Sequence, residues 1–249
     1  MRDSQGGQWA WASYGGSVYQ AHRDVHVTHL PLPAPPGTDP ASLAVRRRQA
    51  DAMADSARVE EARAAYADML DAHRQVLGPD HDDTLDVLGS LAWCNEALHA
   101  HVHALDQYVE LHQRSTSRWG PRHKQTLWAQ QGLMNTVGVT RGPAEACQIG
   151  ADLLDGCRST HGVAATPTLD AMRGYAWWLW SAGRATEARD LYADLYHALP
   201  THHPARTAAE AEYHRWRAVV SYPRRMNRLP DPVRRYSRSA QQAYRDGYT

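Results

Sequence analysis

From Leu85 the apolar positions continue at Leu88, Leu91 and Ala92, and from Leu169 they continue at Met172, Tyr175 and Ala176. Steps of three and four hold such side chains on one face of a helix, so each run predicts an amphipathic helix. A turn follows such a helix, marked by Gly142 in one copy and by Gly183 in another, before a second helix. The whole unit recurs. "LGPDHDDTL" from Leu77 returns as "WGPRHKQTL" from Trp119 and as "HGVAATPTL" from His161, each copy shifted by 42 residues.

In that register Gly78, Gly120 and Gly162 align, as do Thr84, Thr126 and Thr168, and Leu85, Leu127 and Leu169. The second helices align on Ala62, Ala104, Ala146 and Ala188, and on Met69, Leu111, Leu153 and Leu195. Tyr66, Tyr108 and Tyr192 form a further column that Gly150 interrupts. Each repeat is therefore read as a helical hairpin, with four copies over residues 35 to 202. "LPTHHPART" is a shifted joint, "AAEAEYHRWRAVVSY" a fifth first helix, and Pro223 its end. A lone hairpin leaves its apolar face exposed, whereas stacked neighbours bury it, and at least about three units are needed. The expected fold is all-α, an α-α superhelix of four to five hairpins. The expected divisions are a leader at 1–38, the array at 39–222 and a basic cap or tail at 223–249. The Thr of each joint is expected to N-cap the helix that follows it.

Composition narrows the partners. Lys plus Arg equals Asp plus Glu at 27 each, so no overall field draws the chain to nucleic acid or anionic lipid. The scarcity of lysine (Lys124 alone), the absence of Phe and the abundance of Ala, Arg and Asp match a GC-rich genome. No stretch approaches the roughly 20 apolar residues of a membrane span, and no signal-peptide core is seen, so the expected compartment is the cytoplasm. Cys94, Cys147 and Cys157 are odd in number and lie in helical stretches, which suits reduced thiols better than a disulfide framework.

The joint "LGPDHDDTL", the hydrophobic helix after it, the turn and the "EA...Y" of the second helix resemble the tetratricopeptide (TPR) repeat of kinesin-light-chain type, common in bacterial proteins. The resemblance covers residues 35 to 222 and is strongest in the second repeat. It implies a TPR solenoid whose concave face holds a protein or peptide partner. The family's paired Asn of the first helix are replaced here by Gly89 and Ser90, Gln131 and Gly132, and Arg173 and Gly174. A borrowed ligand specificity is therefore not implied.

On the inner face of the first helices, positions three and four apart read Asp86, Gly89 and Trp93, then Trp128, Gln131 and Asn135, then Asp170, Arg173 and Trp177. Trp and Arg dominate binding hot spots, so the candidate peptide-binding surface is Trp128, Gln131, Asn135, Arg173 and Trp177. The competing reading is that each Trp fills core space between hairpins. The histidines of "HAHVH" (His99, His101, His103) straddle the turn expected at His99, and no metal site is expected. His81 and His123 belong to the joint and are expected to make structural hydrogen bonds. No nucleotide-binding loop or nucleophile elbow occurs, so neither an enzyme nor a cofactor is expected.

The two ends differ from the middle. "LPLPAPPGTDP" reads as a stiff, extended linker. Before it, Val18, Tyr19, Val25, Val27 and Thr28 give a β-prone element expected to lack a partner strand, and so to be disordered or to pair with another chain. "GGSVYQAHRDVHV" resembles a short motif of bacterial, especially actinobacterial, signalling proteins that is similar to RHIM-type amyloid signalling sequences. That resemblance implies self-association through Val18, Tyr19, Gln20, Ala21, Asp24, Val25 and Val27, although His22 stands where the motif has Gly. At the other end, Ser221 to Thr249 carries seven arginines against Asp231 and Asp246. The tail supports an alternative in which the protein is nucleic-acid-associated, but no DNA- or RNA-binding motif accompanies it, and a solvated cap is preferred.

Overall fold

The computed structural model describes residues 11–14, 17–22, 24–28 and 39–221. The proline-rich linker and the arginine-rich tail lie outside the described residues. The helices are α1 (Pro40–Asp55), α2 (Val59–Val76), α3 (Asp82–Ala97), α4 (His101–Trp119), α5 (Lys124–Thr140), α6 (Pro143–His161), α7 (Thr166–Ser181), α8 (Ala185–Ala198) and α9 (Pro204–Ser221). They pair as four hairpins, α1 with α2 through α7 with α8, and α9 stacks on the last.

The aligned columns of the sequence form the core. Ala62, Ala104, Ala146 and Ala188 are fully enclosed where the second helix meets its neighbours. Tyr66, Tyr108, Tyr192, Met69, Leu111, Leu153 and Leu195 are buried beside them. The gap in the Tyr column has a local answer: a side chain at Gly150 would meet the Tyr175 ring at 2.7 Å and the Met134 sulfur at 2.9 Å. Tyr175 of the next hairpin thus takes the space the missing aromatic leaves.

The joints at Gly78, Gly120 and Gly162 share one backbone conformation. Gly78, Gly120 and Gly162 have φ of 92°, 89° and 91°. At Gly120 and Gly162 ψ is 168° and 163°, a region essentially closed to residues with a Cβ. The glycine column therefore records a backbone requirement. The expected Thr N-cap is corrected here. Thr84, Thr126 and Thr168 stand at the third residue of α3, α5 and α7, and each hydroxyl donates back to the carbonyl of the joint glycine, at 2.8, 2.9 and 2.7 Å. The cap position belongs to His81 and His123, whose Nδ1 atoms accept from the N–H of Asp83 and Gln125 at 3.2 and 3.3 Å. His203 accepts in the same way from Ala205 at 3.1 Å before α9. Before α7 the cap is Ala165, which has the same extended backbone and no side-chain acceptor.

Near the N-terminus the strands β1 (Trp11–Tyr14), β2 (Ser17–His22) and β3 (Asp24–Thr28) form an antiparallel sheet in that order. This corrects the expectation of one β-prone element without a partner. That element is two strands that pair with each other, Tyr19 opposite Val27 and Ala21 opposite Val25, while β1 pairs along the other side of β2.

Candidate functional site

The first helices of successive hairpins lie side by side, and two polar ladders tie them together. At one end Arg47 of α1 donates to Asp83 and Asp86 of α3, both at 2.8 Å, and Gln125 of α5 donates to the other oxygen of Asp86 at 3.1 Å. Nearer the other end the buried carboxylate of Glu96 accepts from Tyr108 at 2.9 Å and from Asn135 at 3.2 Å. The indole N–H of Trp178 donates to Asn135 at 3.5 Å, so the chain of contacts spans α3, α5 and α7. A buried carboxylate is tolerated when its oxygens are hydrogen-bonded. Burial and the adjacent Glu96 charge together push the Tyr108 phenol well above its ordinary range.

The five candidate residues divide into two groups. Trp128, Gln131 and Asn135 are enclosed, at 8%, 9% and 4% exposure. Trp128 occupies the space opposite Gly89: an added Cβ there would come within 2.5 Å of its ring. The Tyr108 ring also lies against it, edge-on at 5.8 Å. Gln131 lies against Gly174, and the Tyr108 ring covers Gly132. Three of the positions where the family has Asn are thus glycines that receive side chains from adjacent helices. Arg173 and Trp177 differ. The Arg173 side chain is 41% exposed while donating to Asp170 at 2.8 Å, and Trp177 is half-buried with the Trp180 ring 4.8 Å away. Arg173, Trp177 and Trp180 follow helical spacing along α7. Trp178, one residue out of that register, is buried instead over Gly138.

Between α5, α6 and α7 a cleft of about 30 Å³ is lined by Trp128, Gln131, Leu153, Cys157 and Asp170, with Lys124 and His161 also on its wall. Burial raises the Asp170 carboxyl above its ordinary range, and the Arg173 charge opposes the rise. Burial followed by the Asp170 charge pushes the Cys157 thiol up to about 12, which leaves it protonated and inert as a nucleophile. Asp170 and Lys124 were absent from the candidate set. Asp170 already stood in the inner column with Trp128, but its burial depends on α6, which that column does not include.

Among the described residues no group of three His, Cys, Asp or Glu side chains is arranged to hold a metal ion, and no helix is long and apolar enough to cross a membrane. His99 has a φ of 60° and lies in the turn between α3 and α4, as its alignment with Gly183 predicts.

Residues 41–114 match the family model described as tetratricopeptide repeat. No curated protein gives a significant sequence match. Nearly identical TPR-like repeats of kinesin light chain kind from Podosopora anserina superpose with a TM-score of 0.65 at 17% identity, covering 85% of this chain and 99% of that one. The fold is that of a TPR solenoid. BtubC (BKLC) from P. vanneervenii is similar at a TM-score of 0.60 and 13% identity, covering 85% of each chain. The matched family segment holds α1 to α4, whereas the TPR geometry continues through α8 and into α9.

Proposed function

We propose that this TPR array is a non-enzymatic scaffold or adaptor that holds a peptide or protein along its row of first helices. TPR folds generally mediate protein–protein interaction, and a stacked array offers a long continuous surface for it. One observation carries the reading to particular residues: Arg173 and Trp177 reach solvent on α7, beside Trp180, while the tryptophans of the earlier first helices, Trp93 of α3 and Trp128 of α5, are enclosed. An arginine and two tryptophans at helical spacing along one helix are residue types typical of binding hot spots. Trp128, Gln131 and Asn135 complete the site from beneath as the packed support of that surface, and Trp128 and Gln131 also wall the adjacent cleft. A second contact, self-association within a bacterial signalling assembly, is assigned to the N-terminal motif. The outer edge of β3, free of a neighbouring strand among the described residues, supports it, because an open edge can pair with a second copy.

The test compares proteins captured from the native host by the wild type and by the Arg173→Ala/Trp177→Ala double variant. A stoichiometric polypeptide held by the wild type is expected to be released about tenfold or more from the variant, the loss typical of a hot-spot pair. The helical circular dichroism is expected to stay unchanged. Equal retention by the two proteins contradicts the assignment.

A further inference from the structure

The cleft between α5, α6 and α7 contains two polar atoms with no partner. Gln131 Nε2 is buried with nothing to donate to, and Asp170 Oδ2 is buried with nothing to accept from, although Asp170 Oδ1 is satisfied by Arg173. Both side chains are more than nine-tenths buried and both line the same cleft. Leaving such atoms unpaired is costly, so a group that supplies both contacts is favoured there. It must accept from Gln131 and donate to Asp170 at once.

Charge and size restrict the choice. An anion would face the Asp170 carboxylate. A cation would meet Arg173, already paired with Asp170, and Lys124 on the wall. The occupant is therefore neutral. Apart from His161 the rest of the lining is apolar, with Leu127, Trp128, Leu153, Cys157 and Pro167, and the volume of about 30 Å³ suits a head group of a few atoms. A primary carboxamide meets every condition, its carbonyl oxygen accepting from Gln131 and its N–H donating to Asp170.

We propose that this cleft is a subsite for the carboxamide of an Asn or Gln side chain in the bound peptide. The assignment rests on the peptide-binding reading and gives it a sequence preference. Propionamide, which reproduces the end of a glutamine side chain, is the probe. Saturation-transfer NMR on the full chain is expected to show propionamide binding with millimolar affinity, and no transfer to propionate or to 2-butanone, which cannot donate. Gln131→Glu replaces the donor with an acceptor in nearly the same shape. It is expected to reduce propionamide binding roughly tenfold, the effect of losing one hydrogen bond in a buried site.

Absence of transfer to propionamide, or equal transfer to 2-butanone, overturns the proposal. The wild-type comparison among the three probes decides the matter even where the variant folds poorly. The capture experiment with the Arg173 and Trp177 variant is independent of this one. Partner capture without propionamide binding removes the subsite and leaves the scaffold reading in place. Propionamide binding without a captured partner removes the scaffold reading and leaves a carboxamide site.

Discussion

At the scale of single residues, the glycines of the first helices decide where the rings go. Gly132 stands where a Cβ would lie 2.3 Å from the Tyr108 ring, and that ring is itself fixed by its bond to Glu96. Gly132→Ala is therefore expected to destabilise the array by about 1–3 kcal/mol from overpacking. The gain in helix propensity, at most about 1 kcal/mol, does not offset it. Urea denaturation checks this, and an unchanged or higher midpoint speaks against the packing described. Asn135→Leu is expected to cost about 2 kcal/mol or more, because it strips one contact from a buried carboxylate and leaves the Trp178 indole N–H unpaired. The same measurement tests it. The burial of Trp128 was not legible in its own helix: the space that receives the ring is opened by Gly89, which lies 39 residues earlier in the chain. Periodicity placed Trp128 on the correct side of α5, and only the facing helix shows what covers it.

At the scale of elements, the joints carry the next predictions. Ala165 has φ −69° and ψ 147°, nearly the values at His81 and His123, yet offers no acceptor to the first turn of α7. Ala165→Ser is expected to stabilise the protein by about 0.5–1 kcal/mol, read from the urea midpoint. No gain means that this turn finds its partners elsewhere. The histidine caps also bring a pH dependence. Burial first, and the Lys124 charge second, hold His123 below its ordinary range, with Asp82 pulling the other way and the Trp119 ring stacked at 4.7 Å. A histidine held neutral in the folded state binds fewer protons than in the unfolded chain. Its penalty is absent above the ordinary value of about 6.5 and grows as pH falls through that value toward the lower folded one. Burial lowers His112 and His161 as well, so all three act in the same direction. Stability is thus expected to drop between about pH 7.5 and about pH 5.5, and less so in His123→Ser, which keeps a cap that does not titrate. An equal drop in both proteins excludes His123 as a contributor.

These joints were half legible in the sequence. The recurring Gly, His and Thr announced a repeated structure, but the same letters did not say which side chain caps the helix. Serine-like capping favours Thr in general; here the hydroxyl is needed by the glycine carbonyl, and His at the cap position accepts from the N–H two residues on. The N-terminal strands were less legible. A stretch of β-prone residues gives no sign of its pairing register.

At the scale of the molecule, a 42-residue recurrence of small and large apolar positions was sufficient for the array, because every copy must bury the same face against the next. The regularity of that core is also why the site was harder to read. Positions that face a groove in one repeat are sealed by a neighbouring ring in another, whereas Arg173 and Trp177 of α7 stay partly open. The central claim is that a partner lies along the first helices rather than on the outer surface formed by the second. Hydrogen–deuterium exchange of the protein alone and with its captured partner tests this most directly. Added protection is expected in α5 and α7, centred on Arg173 and Trp177. Protection confined to α2, α4, α6 and α8, or none at all, would contradict the account.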